Sequence, residues 1–590
     1  METYKNTPHW LWAFRFGLRS TPLSAVASIL FLIVAALIPA ATVVLIKLLS
    51  SAMGSEQRAV RLIILVAVVF GAGNAWQQVS NAISRVNAMR INLSSASLFQ
   101  DRLSQASARE FNDEGFMKEL RAARQCVAEG HVSSQFQATV NIACATLTAF
   151  TLSLSLWEIS TAAALISLLA PIPTTLAYAW YGKQESHLWP QATEEIRRST
   201  YLQDQISYQR TAVEISTLRA TNVFAELAAH HRCAHMAIRQ RLEWLSIASD
   251  SLAGLVTTGL FAIALLTLYR DSGNNIGALF AGTAGVMAGI SAMMGIGYQI
   301  GELVTSLPAN KHLRSFADRP TEQSSPLDVR NAEALIASDV TVNYGTLRAV
   351  DHVSLEAPSG KLTAIVGENG SGKTSLLKAL MNTQRDASGG VLIGDRTINV
   401  GEDEHISFYV SAVLQDYGRY EISVRRFLML GSRQRAADSQ LWDALEFASI
   451  APIFRDSPNG LDTPWEASGA ESSCRGGQWQ RLAIARAMVM DEYVWILDEP
   501  TSTIDAAGEE ELFSKFAALA KDRIFILSSH RLSTLKWADT IYLLDAGRIL
   551  ESGSFDELMS PGTAFRKMFE AQIMEAEDRG RYSPNDSSTL

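Results

Sequence analysis

Apolar and polar residues are distributed differently in the two halves of the chain. The first half carries six long, nearly uninterrupted apolar runs, at about 22–49, 60–79, 138–157, 161–180, 249–268 and 276–299. Most reach the roughly 20 residues that a helix needs to cross a bilayer. The runs fall into three pairs, each joined briefly. Between the pairs lie 80–137 and 181–248, long, charged and helical in pattern. These stretches predict membrane helices that continue far beyond the bilayer on one side. The 138–157 run is rich in Thr and Ser, which predicts a helix facing the interior of the bundle. Residues 9–19, His-Trp-Leu-Trp-Ala-Phe-Arg-Phe-Gly-Leu-Arg, suit a helix lying in the membrane interface with its aromatics among the headgroups.

After a Pro- and polar-rich stretch, 306–332, the pattern changes. Apolar runs shorten to four or five residues, as at Leu362 to Val366, Val494 to Leu497 and Ile524 to Leu527. Runs of this length, bounded by glycines and charges, predict buried strands alternating with helices, hence an α/β domain. The boundaries expected are 1–325 for the membrane part, 333–573 for the α/β part, and a charged, then Ser/Asn/Asp-rich tail at 574–590.

The α/β part carries the candidate chemistry. Directly after Leu362 to Val366 comes Gly367-Glu368-Asn369-Gly370-Ser371-Gly372-Lys373-Thr374, followed by Ser375 and a helical pattern. Glycines let the backbone N–H groups turn inward around phosphate. A lysine and a hydroxyl at the end of such a loop reach the terminal phosphates and a magnesium ion. The helix behind adds its positive N-terminal end. A second strand ends in Asp498-Glu499, an acidic pair suited to holding magnesium and polarising a water molecule.

The order of further motifs resembles the nucleotide-binding domain of ABC transporters, over about 333–573. Those motifs are Gly476-Gly477-Gln478-Trp479-Gln480-Arg481 upstream of the acidic pair, and Ser528-Ser529-His530-Arg531 after the strand Ile524 to Leu527. The first half is similar to the exporter type, a six-span α-helical polytopic domain joined to a P-loop ATPase. The resemblance implies ATP and Mg2+ as cofactors, with Glu499, His530 and Lys373 catalytic. It implies nucleotide contacts from Tyr344, residues 367–375, Gln415, Ser473, Arg475, Gly476, Gly477 and Gln478, and magnesium contacts from Thr374, Gln415 and Asp498. Tyr344 matches the aromatic that stacks on adenine, and Gln415 the loop that senses the membrane domain. Ser502 to Asp505 matches the segment crossing a dimer interface. Phe111 to Phe116 and Arg210 to Thr221 match the tips that couple the two halves.

One segment departs from that family. Its signature is Leu-Ser-Gly-Gly-Gln, but this chain reads Glu471-Ser472-Ser473-Cys474-Arg475-Gly476-Gly477-Gln478. Aligned from Gly476, Arg475 takes the serine position; aligned from Glu471, Ser473 keeps it and two residues are inserted. A guanidinium would place charge and planar donors where the family has a small hydroxyl. The partner implied is a second half-transporter chain, a homodimer being favoured over a heterodimer in which the partner supplies the better signature. A membrane regulator that binds ATP and hydrolyses it slowly is the alternative. The transported substrate is expected to be a peptide, a lipid or another small or hydrophobic compound.

Composition limits the remaining classes. Net charge is −9, which gives nucleic acid no electrostatic footing. Cys126, Cys144, Cys233 and Cys474 show no metal-binding spacing. Lys5, Arg15 and Arg19 precede the first run, and Arg85, Arg90 and Arg102 fill the long loop, so both are expected on the cytoplasmic side; the resemblance implies that the membrane is a bacterial-type inner membrane. A cleavable leader is not expected, because the first apolar run is too long for one.

Overall fold

The computed structural model describes residues 8–52, 56–273, 276–320, 332–401, 409–432, 435–465, 476–570 and 572–574. The chain divides into two compact units. One comprises Met1–Gln105 with Gly115–Pro320, and the other Ala106–Glu114 with Thr321–Leu590.

The first unit is helical. Its elements are α1 (His9–Ser20), α2 (Pro22–Ser51), α3 (Glu56–Ser104), α4 (Glu114–Glu129), α5 (His131–Trp157), α6 (Thr161–Leu169), α7 (Pro171–Ser207), α8 (Gln209–Thr217), α9 (Thr221–Ser272) and α10 (Ile276–Asp318). Five described helical stretches are long and apolar enough to cross a membrane: Pro22–Leu49, Glu56–Ser104, His131–Trp157, Thr161–Glu185 and Thr221–Ser272. The chain is therefore a multi-pass membrane protein. The sixth expected span falls on α10, whose described apolar stretch is Gly277–Gly289. At 49 and 52 residues, α3 and α9 run for roughly 75 Å, against about 30 Å of hydrocarbon. Each therefore continues well outside the bilayer, as the charged stretches at 80–137 and 181–248 require.

Small and hydroxyl residues knit these helices together. Thr148 on α5 donates to the Ala36 carbonyl of α2 at 3.0 Å, and Thr21 and Ser24 both donate to Asn87 Oδ1. In an apolar surround such bonds satisfy groups that lipid cannot. Of the Thr/Ser-rich run at 138–157, Thr148 and Ser153 are buried, while Phe150, Leu154 and Trp157 are exposed. The N-terminal helix also packs on the bundle. Trp12 and Phe16 are buried, Phe14 stacks on Phe136 at 5.5 Å, and a Cβ on Gly17 would meet the same ring at 2.6 Å. Trp12, Phe14 and Phe16 thus pack against the bundle, Phe14 on α5.

The second unit is α/β. Its strands are β1 (Ala334–Tyr344), β2 (Leu347–Pro358), β3 (Leu362–Val366), β4 (Ala387–Ile393), β5 (Arg396–Asn399), β6 (Val410–Val413), β7 (Ile422–Ser423), β8 (Pro464–Trp465), β9 (Val494–Asp498), β10 (Ile524–Ser528), β11 (Thr540–Asp545) and β12 (Arg548–Gly553). Six form one sheet in the order β12-β11-β3-β10-β9-β6, and four form an antiparallel sheet, β2-β1-β4-β5. In the larger sheet β6, β9, β10, β3 and β11 run parallel. Every residue of β3, β9 and β10 is buried, as central parallel strands covered on both faces must be. Alternation then feeds two cores. Trp495, Leu497, Phe525 and Leu527 face the helical side, while Val494, Ile496, Ile524 and Ile526 face the antiparallel sheet.

Candidate functional site

The site forms where β3, β9 and β10 end together. Ser528 is level with Asp498 on one side and with Ile365 on the other. Whatever follows each strand therefore converges on one edge, the crevice where open parallel sheets place their ligands.

From β3 the chain enters the glycine-rich loop and then α11 (Lys373–Leu380). Two glycines here cannot be replaced. Gly367 has φ +158° and a Cβ on it would lie 2.2 Å from the Leu544 carbonyl oxygen. Gly372 has φ +106°, and its Cβ would lie 2.3 Å from the Ala349 carbonyl oxygen. The loop is closed from within by Lys373, whose Nζ donates to the Gly367 and Glu368 carbonyls at 2.8 Å each. Burial lowers the Lys373 pKa, and the nearby Glu499 and Asp498 carboxylates act in the opposite sense. Ser371 Oγ is buried and has no hydrogen-bond partner among the described residues. An orphaned hydroxyl inside a loop of this shape fits a phosphate oxygen.

A chain of short contacts crosses the three strand ends. Thr374 Oγ1 donates to Asp498 Oδ2 at 2.8 Å, and Ser528 Oγ donates to Asp498 Oδ1 at 2.6 Å. Ser528 Oγ also accepts from the Glu499 N–H at 3.0 Å. The Glu499 carbonyl accepts from Gln480 Nε2 at 2.9 Å. Those two bonds hold Glu499 at φ +47°, a left-handed conformation that a side chain disfavours by about 1–2 kcal/mol. Glu499 Oε1 lies 3.2 Å from Nδ1 of the half-exposed His530.

Of the residues expected from sequence, Lys373, Thr374, Asp498, Glu499 and His530 share this edge, with Gly367 to Ser375 forming the loop. Tyr344 ends β1, half exposed, and its hydroxyl accepts from Gln384 Nε2 at 2.8 Å and Ser375 Oγ at 3.4 Å. Gln415 is exposed in the bend after β6, and no hydrogen bond joins it to Thr374 or Asp498 among the described residues. Ser473 and Arg475 lie outside the described residues. From Gly476 the chain is helical, to Met490. Gly477 packs closely on the 502–505 segment, since a Cβ there would lie 2.7 Å from the Thr503 carbonyl oxygen. Gln478 is half-buried on the same helix.

Two functional positions escape sequence reasoning. Gln480 holds both the Glu499 carbonyl and, through its Oε1, the Thr503 N–H at 3.0 Å. Ser528 joins the acidic pair. A serine closing a buried strand, directly before Ser529-His530, is the only signal the sequence offers for it.

A P-loop, an acidic strand end and a neighbouring strand-end histidine on one parallel sheet define a nucleotide-binding α/β domain. Residues 350–502 match the ABC transporter family. The β-(1→2)glucan export ATP-binding/permease protein NdvA of Agrobacterium fabrum is 31% identical over 353 residues, 58% of each chain. The ATP-dependent lipid A-core flippase of Bordetella avium is 35% identical over 226 residues, 38% of each chain. The chain thus spans between about two-fifths and three-fifths of these relatives' length. In fold, a bacterial Atm1-family ABC exporter with ATP bound superposes with a TM-score of 0.81 at 20% identity, covering 94% of this chain and 99% of that one. The chain is similar to exporter-type ABC half-transporters, in fold along nearly its whole length and in sequence over about two-fifths to three-fifths of it.

Proposed function

We propose that this chain is one half of an ATP-driven exporter of a bacterial inner membrane, its nucleotide-binding unit lying in the cytoplasm. The observation that carries the reading is the convergence of Lys373, Thr374, Asp498, Glu499 and His530 at three aligned strand ends, in a chain whose described residues include five helical stretches of membrane-spanning length. Tyr344 offers its ring to adenine. The loop N–H groups and the Ser371 hydroxyl hold phosphate. Lys373 exchanges its two loop carbonyls for the terminal phosphates, which places a cation where phosphoryl charge develops. Thr374 and Asp498 hold Mg2+, which when bound neutralises phosphate charge. Glu499 accepts a proton from the attacking water, and His530 donates to the γ-phosphate.

Two chains pair, each closing the other's site with the helix at Gly476 and the segment at 502–505. A homodimer is favoured. The second reading, a subunit of a heterodimer whose degenerate site hydrolyses slowly, rests on Arg475 in the signature. Hydrolysis that is negligible in the chain alone and restored by Arg475→Ser would favour it.

The substrate is a bulky or amphiphilic compound. Peptides and hydrophobic compounds belong to that class, and the glucan and lipid A-core named for the relatives extend it to saccharides and glycolipids of the cell envelope. The test is ATP-dependent movement of labelled members of each class into inside-out vesicles, with Lys373→Ala as control. Movement that needs both ATP and Lys373 supports export. ATP hydrolysis that none of these classes stimulates, with no movement, sinks it.

A further inference from the structure

Helix α11 stops at a turn with connections on three sides. Asn382 sits at φ +52°, the left-handed stop typical just past a helix end, and its Oδ1 accepts from the Gly401 N–H. Thr383 Oγ1 donates back to the Lys378 carbonyl at 2.9 Å, fixing the turn to the phosphate-loop helix. Its own carbonyl accepts from Asn112 Nδ2 at 2.9 Å, and Arg385 pairs with Asp113. Asn112 and Asp113 belong to Ala106–Glu114, the segment between α3 and α4 that clusters with the nucleotide-binding unit. Between these two contacts stands Gln384. Only 6% exposed, it donates to the Tyr344 hydroxyl at 2.8 Å. Two residues further on, the Asp386 carbonyl accepts from the Asn343 N–H at 2.8 Å, so the backbone beside Tyr344 is tied to the same turn.

We propose that Gln384 is a positioning residue for the base platform, and that the turn 383–385 links the state of the Ala106–Glu114 segment to the angle of the Tyr344 ring. The inference rests on the reading of Tyr344 as the surface that stacks on adenine. It assigns the base end of the site its own link to the segment between α3 and α4, separate from the Gln415 bend. Phosphate binding depends little on this link, because among the described residues no hydrogen bond joins Lys373 or Ser371 to Gln384, and the loop meets Tyr344 only through Ser375 Oγ at 3.4 Å. The consequence is selective: breaking the link weakens recognition of a nucleotide but not of its phosphates.

The experiment uses the full chain in detergent, carrying Glu499→Gln so that ATP persists. Dissociation constants for ATP and for base-free tripolyphosphate, both with magnesium, are measured in five further variants: Gln384→Met, Tyr344→Phe, their combination, and Asp113→Ala with and without Tyr344→Phe. Loss of one neutral hydrogen bond weakens ATP binding about three- to tenfold. Gln384→Met and Tyr344→Phe should each do so, and the double variant should be no weaker than either. Asp113→Ala should weaken ATP binding alone but add nothing in the Tyr344→Phe background. Tripolyphosphate should bind all variants equally. Losses that add, a parallel fall in tripolyphosphate affinity, or an Asp113→Ala effect that persists without the Tyr344 hydroxyl would each overturn the proposal. A parent that binds tripolyphosphate and not ATP overturns the base-platform reading itself. One that binds neither overturns the nucleotide site as a whole.

Discussion

Replacing Ser528 by alanine should cripple hydrolysis without touching any group that meets the nucleotide. The Ser528 hydroxyl donates to Asp498 at 2.6 Å and accepts from the Glu499 N–H at 3.0 Å. Asp498 is 2% exposed, so no water replaces the lost donor. A hydrogen bond to a buried charged group is worth about 1.5–3 kcal/mol, and an unsatisfied buried N–H costs about 1–3 kcal/mol. Glu499 also loses one of the two bonds holding it at φ +47°. If about 1.5–3 kcal/mol of this is felt in the transition state, kcat falls about 10- to 150-fold. The folded state loses about 2 kcal/mol besides, which lowers the melting temperature of a domain this size by about 4–8 °C. Steady-state phosphate release and thermal unfolding of the purified chain measure both. Ser528→Thr, which keeps the hydroxyl, should recover most of the activity. A folded Ser528→Ala chain with kcat within twofold of the parent would refute the reasoning.

Three further outcomes are expected. Gly372→Ala should abolish ATP binding or folding of the second unit, since φ +106° and a carbonyl oxygen 2.3 Å from the added carbon leave it no room; equilibrium ATP binding checks this, and normal affinity contradicts it. Arg531→Met should cost about 3–5 kcal/mol in thermal unfolding, because it strips Glu509, 4% exposed, of the guanidinium at 2.8 Å and leaves a buried charge whose remaining side-chain partner among the described residues is the Thr501 hydroxyl. Among the described cysteines, Cys233 is exposed, whereas burial, helped by Glu129, pushes the Cys126 thiol up to about 12. At pH 8, below that value, Cys126 stays a thiol, so maleimide mapped by mass spectrometry should mark Cys233 within minutes and Cys126 only after denaturation.

Much of the site is written locally, which is why it can be read along the chain. A buried parallel strand is a short unbroken apolar run, and Leu362 to Val366 announces the loop behind it. Asp498 and Glu499 stand out because a carboxylate pair closing such a run has no packing role. What escapes is what depends on side chains meeting across strands. Ser528 and Gln480 are ordinary polar residues until β9 and β10 lie in register and the helix at Gly476 packs beneath Glu499. Tyr344 reads as a stacking aromatic, but its hydroxyl bond to Gln384, 40 positions away, has no sequence signature. The N-terminal helix shows the same limit in the membrane half. Nothing local in Phe14 signals that its ring stacks on Phe136, far along the chain.

The most direct test of the account is magnesium-dependent ATP hydrolysis by the purified, detergent-solubilised chain alone, beside Glu499→Gln. The account expects phosphate release that stops when EDTA removes magnesium and that is lost in Glu499→Gln while ATP still binds. Hydrolysis of equal rate in Glu499→Gln, or a chain that binds no ATP, would contradict it.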